Sequence, residues 1–220
     1  MPQKLEKLLD QLVKLHPKFI DLSLNRLLLL LNKLGNPHLN LPATIHIAGT
    51  NGKGSILSYI RNILQENKFL VHCYISPHLK SIEERFIVSN KQIGKQKLLN
   101  TLRYIKKIND HNPITFFEKE KADFVILETG LGGRLDATNI IEKSMIDIIS
   151  PISADHQEFL GNSIKKITNE KLKIIKPLSK VIISKQNKIV KNEIKQRIKN
   201  LKNDKLFFGE KFKLTNINKK

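Results

Sequence analysis

A short apolar run that leads into a glycine-rich loop limits the folds open to this chain more than any other feature. Residues 44–48 (Thr-Ile-His-Ile-Ala) have the length and composition of a buried strand. The glycine-rich residues 49–55 follow at once, and helical spacing continues from about Ser55 to Asn67. Strand, tight loop and helix in this order are the first half of a β-α-β unit, so a parallel sheet is expected.

The rest of the chain continues this alternation. Further strands are predicted at residues 70–75, 122–127, 145–149 and 181–184. A hairpin is predicted at residues 86–93, around the turn Ser89-Asn90-Lys91. Helices are predicted at residues 5–15, 21–35, 95–109 and 163–175. The fold class is therefore α/β, with a mostly parallel sheet that is flanked by helices on both faces.

The charge is strongly basic and unevenly placed. Lys and Arg outnumber Asp and Glu by 39 to 20, a formal net charge of +19, and residues 162–220 hold 18 of these basic residues against 4 acidic ones. No aromatic residues interleave with the C-terminal lysines as they do on a base-stacking surface. We therefore expect a positive field that attracts anionic small molecules, and no nucleic-acid partner. A nucleic-acid-associated protein is the alternative, and steep salt dependence of DNA or RNA binding would reveal it.

The cysteine count and the hydropathy pattern exclude further classes of protein. Cys73 is the only cysteine, which excludes an intramolecular disulfide and a cysteine-based zinc site. The richest apolar run, residues 27–31, is five leucines between Arg26 and Asn32, too short to span a membrane. The N-terminal residues have no apolar signal-peptide core. A cytoplasmic protein with no membrane partner is expected.

The first loop has the chemistry of a phosphate site. Glycines let backbone N–H groups turn toward phosphate oxygens, and a helix N-terminus favours negative charge. Lys53 can reach the β- and γ-phosphates, and Ser55 offers a hydroxyl to phosphate or metal. The usual spacing is not met, because Ile47 stands where the first glycine belongs and Gly54 separates Lys53 from Ser55. The candidate ATP-binding residues are Gly49, Thr50, Asn51, Gly52, Lys53, Gly54 and Ser55.

Other polar residues also follow predicted strands. Glu128 ends a buried strand, where its carboxylate can hold Mg²⁺ opposite the phosphate loop; a capping or ion-paired acid is the alternative. The Gly-Gly-Arg turn at Arg134 can bring a guanidinium close to an anion. His156 can ligate a metal, oriented by Asp155 or Glu158, or be a hydrogen-bonded structural histidine.

These motifs together resemble one protein family. The matching stretches are residues 46–55, 76–78, 127–139, 155–161 and 170–177. They are similar to the folylpolyglutamate synthase and dihydrofolate synthase branch of the Mur ligases, in the same order along nearly the whole chain. Residues 130–139 (Gly-Leu-Gly-Gly-Arg-Leu-Asp-Ala-Thr-Asn) are specific to that branch and argue against the enzymatic alternative, a peptidoglycan precursor ligase.

The resemblance implies ATP-dependent amide formation. The γ-phosphate of ATP is transferred to a carboxylate of a pterin substrate, dihydropteroate or tetrahydrofolate, and L-glutamate attacks the acyl phosphate. Catalysis of this kind relies on positioning and charge neutralisation. The resemblance implies ATP and Mg²⁺ as cofactors, and we expect a monomer whose partners are these small molecules.

The resemblance also implies individual roles. Lys53 contacts the phosphates, Ser76 and Glu128 hold the Mg²⁺ that bridges them, and His156 holds a second Mg²⁺. Lys171 matches a lysine that the family carries as a carbamate. The implied catalytic residues are thus Lys53, Glu128, His156 and Lys171, and the implied pterin contacts are His78, Arg85 and Phe117.

Two departures from the family pattern concern length. The family has a helix of several turns between the Phe-Glu pair at 117–118 and the strand that ends at Glu128. Here only residues 119–121 are available, and three residues at about 1.5 Å each cannot make that helix, so an internal deletion is expected. Family members are also longer and finish with a separate C-terminal domain. Residues 1–220 are therefore expected to be a partial ATP-binding domain without the C-terminal ligase domain, and an inactive nucleotide-binding fragment is the alternative to an active ligase.

Overall fold

The structure is a computed structural model that describes residues 24–109 and 121–212, and these form a mixed sheet with helices packed on it. The strands are β1 (Ala43–Ala48), β2 (Val71–Tyr74), β3 (Phe86–Val88), β4 (Lys91–Gln92), β5 (Phe124–Glu128), β6 (Ile146–Ile149), β7 (Lys180–Ile183) and β8 (Lys205–Phe207). All pairings except those in the β2-β3-β4 meander are parallel. The predicted mostly parallel α/β fold is confirmed.

Helices connect the strands. They are α1 (Asn25–Lys33), α2 (Lys53–Glu66), α3 (Lys95–Asn109), α4 (Gln157–Leu160), α5 (Ile164–Leu172) and α6 (Lys188–Ile198). Within the described residues, none of these helices has both the length and the apolar character needed to cross a bilayer.

The strand order brings three loops together at one edge of the sheet. The order is β4-β3-β2-β5-β1-β6-β7-β8, so β1 lies between β5 and β6. From β1 the chain moves toward β2 on one side, and from β6 it moves toward β7 on the other. Open parallel sheets bind ligands where the direction changes in this way, at the carboxyl ends of the strands. The loops after β1, β5 and β6 meet there.

The sheet separates two apolar clusters. Because side chains alternate along a strand, Ile45 and Ile47 of β1 pack on the α2 face, with Leu57 of that helix. The opposite face carries α5 and α6, whose Ile167 and Ile194 are fully buried. His46, between two core isoleucines of β1, has no exposed surface. A polar residue therefore occupies a strand position where the alternation calls for a buried side chain.

The predicted elements agree with the structure within a few residues. The helix predicted at 163–175 is shorter, since α5 ends at Leu172, and β8 was not predicted as a separate strand. The hairpin turn has φ values of 46° at Ser89 and 70° at Asn90, as a tight hairpin requires. The helix predicted at 5–15 and the short connection expected near 118 lie outside the described residues.

Candidate functional site

The loop after β1 is tied to the loop after β6. Thr50 and Asn51 donate their N–H groups to Pro151 O at 2.9 and 3.2 Å, and Thr50 Oγ1 lies 3.2 Å from Ser153 O. Gly49 has φ of 150°, and a Cβ there would stand 1.9 Å from Ser150 Oγ. Only glycine fits at that distance. The loop is therefore fixed before any ligand arrives.

Helix α2 begins beside this loop without a side-chain cap. Its N-cap is Gly52, with φ of 78°, and its first turn carries no acidic residue. The first N–H groups of a helix have no acceptor within the helix, and the helix dipole adds partial positive charge. A Cβ at Gly54 would lie 3.7 and 3.9 Å from the Glu128 carboxylate oxygens, so this end of α2 is next to β5. An anion is the ligand that this helix end suits.

Two lysines donate to one carbonyl in the loop. Lys171 Nζ lies 2.8 Å from Gly49 O, and Lys53 Nζ lies 3.2 Å from the same oxygen and 3.3 Å from Thr50 O. Lys171 is only 2% exposed, although its helix is rich in surface lysines. Burial and the nearby Lys53 charge lower the pKa of Lys171 to about 8, while Asp155 and Asp136 oppose that shift. Two amines held this close favour an anion between them.

Glu128 supplies the carboxylate of the site. It ends β5, is 3% exposed, and its Oε2 accepts a hydrogen bond from Ser76 N at 3.2 Å. Burial raises the pKa of Glu128, while the hydrogen bond from Ser76 and the Lys53 charge act in the opposite direction. A cation placed at this carboxylate removes the cost of keeping it charged in a buried position.

The donor set suits a magnesium ion that shares its ligands with a phosphate. Ser76 is next to Glu128, because its backbone N–H donates to Glu128 Oε2, and its hydroxyl borders Gly130 in the loop after β5. Among the described residues, no three His, Cys, Asp or Glu side chains cluster as a complete metal site. Mg²⁺ commonly takes one or two carboxylate ligands and completes its shell with water and substrate phosphates. Glu128 and Ser76 fit that arrangement.

Asp136 stands in the same loop but is occupied by protein donors. Its Oδ2 accepts the N–H groups of Gly130 and Leu131, both at 2.8 Å. Its Oδ1 accepts Thr138 N at 2.9 Å and the Thr138 hydroxyl at 2.6 Å. Four donors use the acceptor capacity of the carboxylate, so Asp136 shapes the loop after β5 rather than offering a free ligand.

His156 lies on the loop after β6, beside a second carboxylate. Its Nε2 is 3.4 Å from Asp155 Oδ1, and the other oxygen of Asp155 is 3.9 Å from Lys171 Nζ. His156 is half exposed and has a left-handed backbone, with φ of 43°, at the start of α4. The structure therefore brings His156 and Lys171 together through Asp155, one of the two residues predicted to orient the histidine.

The anion near Arg134 is a glutamate of the protein itself. Arg134 Nε lies 3.0 and 3.1 Å from the two oxygens of Glu170, and Arg134 N donates to Glu170 O. Gly133 allows this contact, since a Cβ there would stand 2.6 Å from Glu170 O. The ion pair and this backbone hydrogen bond join the glycine turn to α5, the helix that carries Lys171.

The predicted pterin contacts lie on the loop after β2. Arg85 Nε donates to His78 Nδ1 at 2.9 Å; His78 is exposed and Arg85 is partly buried. Glu84 closes the same loop by accepting the N–H groups of Leu79, Lys80 and Ser81. Those hydrogen bonds lower the pKa of Glu84. Phe117, the third predicted contact, lies outside the described residues.

The sequence reasoning did not assign Asp136, Thr138 or His46 to the site. His46 Nε2 lies 2.8 Å from Thr138 Oγ1, which joins these residues in one buried hydrogen-bonded chain. The signal was present, because a histidine within an apolar strand needs a polar partner once it is buried. The partner itself is 92 positions away and is not indicated by any local pattern.

Comparison with known proteins identifies relatives of this chain. Residues 47–220 match the Mur ligase middle domain. The chain is 38% identical over 192 residues to a probable dihydrofolate synthetase of Schizosaccharomyces pombe, covering 80% of this chain and 45% of that protein. It is 37% identical over 171 residues to the dihydrofolate synthase/folylpolyglutamate synthase of Bacillus subtilis, covering 70% of this chain and 39% of that protein.

A solved structure agrees with this similarity. Escherichia coli FolC in complex with DHPP and ADP superposes with a TM-score of 0.81 and 29% identity, over 97% of this chain and 53% of that one. The chain thus spans less than half the length of the two curated relatives and about half of this structure. The resemblance inferred from the sequence motifs is confirmed.

Proposed function

The chain belongs to the Mur ligase family, whose middle domain it matches, and from this premise we propose that it is the ATP-binding part of a ligase that joins L-glutamate to a pterin carboxylate. The relatives named dihydrofolate synthase and folylpolyglutamate synthase support this proposal. The reaction proceeds through an acyl phosphate, as the resemblance implies. Residues 1–220 are proposed to supply the nucleotide and metal contacts.

One observation carries the proposal. Loops after β1 and β5 and helix α5 bring Lys53, Lys171 and Glu128 around the start of α2. This edge of the parallel sheet thus carries two amines, one carboxylate and a helix N-terminus without a side-chain cap. Such a set of groups suits a phosphate chain with its cation. A merely structural loop would not require two lysines at one carbonyl.

ATP would bind with its phosphates at the N-terminus of α2. The free N–H groups of that helix contact phosphate oxygens, and Lys53 exchanges its two carbonyl partners for the phosphates. Its present hydrogen bonds of 3.2 and 3.3 Å are at the long end of the usual range, so phosphate competes well for the ammonium. Lys53 neutralises charge that moves during phosphoryl transfer.

Glu128 and Ser76 would hold the magnesium ion. Bound Mg²⁺ neutralises the phosphates and stabilises the charge that develops during transfer. Glu128 supplies the anionic ligand, and its raised pKa shows that burial alone disfavours the charged form. We propose that His156, at the neighbouring loop, holds the second ion that the family resemblance implies.

Lys171 would act as a carbamate. A pKa of about 8 leaves a fraction of the amine neutral near pH 7, and only the neutral amine attacks CO₂. The ammonium first loses one proton. Attack of the neutral amine on CO₂ then forms one N–C bond, opens one C=O π bond and releases a second proton, so the side-chain charge changes from +1 to −1. The product faces Asp155 and Lys53 in a buried position, where an anionic oxygen can serve a cation.

The pterin substrate would approach the exposed loop after β2. His78 and Arg85 are joined by a hydrogen bond, and the guanidinium retains further donors for a carboxylate or a pteridine ring. The Escherichia coli relative is described in complex with DHPP and ADP, which supports binding of a second small molecule in addition to a nucleotide. Phe117 is proposed as a further pterin contact on the family resemblance alone.

The test measures nucleotide binding and turnover separately. ATP binding with Mg²⁺ is followed by calorimetry, and phosphate release is followed with dihydropteroate or tetrahydrofolate and L-glutamate. Lys53→Ala and Glu128→Ala are expected to abolish glutamate-dependent phosphate release, a loss of about 100-fold or more. Lys199→Ala, at an exposed position after α6, is the matched control and keeps wild-type values.

Three outcomes would contradict parts of the proposal. ATP binding without glutamate-dependent phosphate release would identify a nucleotide-binding module and contradict a self-sufficient ligase. Full activity of either Lys53→Ala or Glu128→Ala would overturn the roles assigned to those residues. Binding to DNA or RNA that falls steeply with salt would instead favour a nucleic-acid partner.

A further inference from the structure

His46 is a buried polar residue that the proposed reaction does not use. It lies in the middle of β1 with no exposed surface, and its strand neighbours Ile45 and Ile47 face the opposite cluster. Nε2 is 2.8 Å from Thr138 Oγ1, whereas Nδ1 has no hydrogen-bond partner among the described residues. An apolar residue in this position would avoid the cost of the unsatisfied nitrogen.

The direction of the hydrogen bonds follows from their partners. A carboxylate oxygen only accepts, so the Thr138 hydroxyl donates to Asp136 Oδ1 at 2.6 Å. That hydroxyl has one proton and must therefore accept from His46, which fixes the His46 proton on Nε2. Burial and the Lys176 charge lower the pKa of His46 to about 3, in agreement with a neutral ring.

The chain of hydrogen bonds ends in the loop after β5, which follows the proposed magnesium ligand Glu128. The second oxygen of Asp136 accepts the N–H groups of Gly130 and Leu131, which are separated from Glu128 by Thr129 alone in the loop after β5. A Cβ at Gly130 would stand 3.2 Å from Ser76 Oγ. The backbone of Gly130 therefore lies against the Ser76 hydroxyl, and a small movement of this backbone would change the space available to that hydroxyl.

We propose that His46 is a positioning residue for the phosphate and magnesium site, acting through Thr138 and Asp136 on the backbone of Gly130 and Leu131. The proposal rests on the function proposed above, since the site that it positions is the nucleotide site. His46 touches neither nucleotide nor metal. By donating to Thr138 Oγ1, His46 directs the threonine hydroxyl proton toward Asp136 Oδ1. Asp136 then accepts hydrogen bonds on both of its oxygens.

Matched variants separate this role from general packing. Thr138→Val removes the hydroxyl at nearly constant volume, and His46→Leu removes the donor nitrogen. Thr138→Ser and His46→Gln are the controls, because serine keeps the hydroxyl and the glutamine amide keeps a donor near the Nε2 position. All variants are made in the full chain, and their folding is checked by circular dichroism and thermal unfolding.

The first measurement needs no ligand. Hydrogen exchange of the Gly130 and Leu131 amides is expected to accelerate about 10-fold in Thr138→Val and His46→Leu, and to stay near wild type in the two controls. Nitrogen chemical shifts of His46 should report the Nε2–H form and no titration between pH 5 and 8. Unchanged exchange at both amides, or an Nδ1–H ring, would overturn the proposal.

The second measurement uses ATP. The gain in ATP affinity on adding Mg²⁺ is expected to shrink about 10-fold in Thr138→Val and His46→Leu, comparable to the loss of one hydrogen bond to a charged group. The double variant should lose no more than either single one, since both interrupt one chain. Fully additive losses would indicate two independent structural effects and contradict the proposal.

The two measurements fail for different reasons. If the wild-type chain binds no ATP, the proposed function is wrong, while amide exchange still decides whether His46 holds the loop. If ATP binds but exchange and affinity are unchanged in the variants, the positioning role is wrong and the proposed function stands. If His46→Leu does not fold, the nearly isosteric Thr138→Val carries both measurements.

Discussion

Two buried carboxylates hold loops at opposite ends of the sheet, and they differ in the kind of donor that they accept. Asp136, at the carboxyl end, accepts two backbone N–H groups on one oxygen and Thr138 N with its hydroxyl on the other. Asp147, early in β6, accepts the Ser144 hydroxyl at 2.7 Å on one oxygen. Its other oxygen accepts the Ser179 hydroxyl and Lys176 N.

The difference lies in what each network tolerates. A backbone N–H can only donate, whereas a hydroxyl can reverse its role. Both Asp136 oxygens accept backbone N–H groups, so neither oxygen can be replaced by the NH₂ group of an amide. One Asp147 oxygen accepts only a hydroxyl, and there an amide nitrogen can replace the oxygen. The network near the proposed nucleotide site is therefore the more demanding one, and the distant network serves stability.

The largest effect is expected for Asp136→Asn. In either orientation the new NH₂ group faces a backbone N–H, so at least one buried donor loses its acceptor. The free energy of unfolding should fall by about 3 kcal/mol. Urea denaturation measures that loss, and calorimetry should show weaker Mg²⁺-dependent ATP binding by the folded protein. A loss no greater than that of Asp147→Asn would abolish the distinction between the two networks.

Replacing Lys171 tests whether a buried charge near the site lowers the free energy of unfolding. Its folded pKa of about 8 lies below the ordinary lysine value of 10.5, so the unfolded chain binds more protons between these pH values. Stability contributed by this group therefore rises as pH increases from about 8 to 10.5. Lys171→Met should lack this rise and be more stable near pH 7 by roughly 1–3 kcal/mol.

The measurement is a set of urea denaturation curves for both proteins between pH 7 and 10.5, in buffers free of CO₂. The difference between the two curves isolates Lys171 from the other lysines and tyrosines. A difference that is independent of pH would contradict the assigned shift.

A smaller effect is expected for Asp147→Asn. The amide nitrogen can donate to Ser144 Oγ while the remaining oxygen accepts Ser179 and Lys176, so the backbone N–H of Lys176 keeps its acceptor. The free energy of unfolding should fall by about 1 kcal/mol. ATP binding, measured by calorimetry, should equal that of the wild type. Impaired binding would show that this network also reaches the site.

The smallest effect is expected for Arg134→Gln, which removes an ion pair at the protein surface. Arg134 and Glu170 form a two-point contact, but the arginine is half exposed. Exposed ion pairs contribute about 0–1 kcal/mol, because water screens the charges. Thermal unfolding of Arg134→Gln should shift accordingly little, and a shift as large as that of Asp136→Asn would show that the turn at Gly133 depends on the pair.

Local patterns predicted most of the elements. These elements depend on residue spacing or turn chemistry that neighbouring residues supply. Examples are the strand and loop before α2, the hairpin at Ser89 and Asn90, and the strand ending at Glu128. Element ends were less accurate, as in α5, because tertiary packing rather than spacing sets the last turn.

The residues of the candidate site likewise include some that local patterns predicted and one whose burial only tertiary packing sets. The motifs indicated Lys53, Glu128 and the glycine loop, since each follows a strand and all strand ends of a parallel sheet meet at one edge. The burial of Lys171 was not predictable, because its helix reads as a solvated basic face and only packing against the loop at Gly49 encloses the side chain.

By itself, the sequence determined the alternation of strands and helices, the family and the candidate phosphate loop, which are properties of residues close together in the chain. Only the tertiary structure decided that His46 reaches Asp136 through Thr138 and that two lysines share one carbonyl. Such contacts join residues far apart in sequence. Their free energies depend on burial and on the direction of donors, which exist only once the sheet has formed.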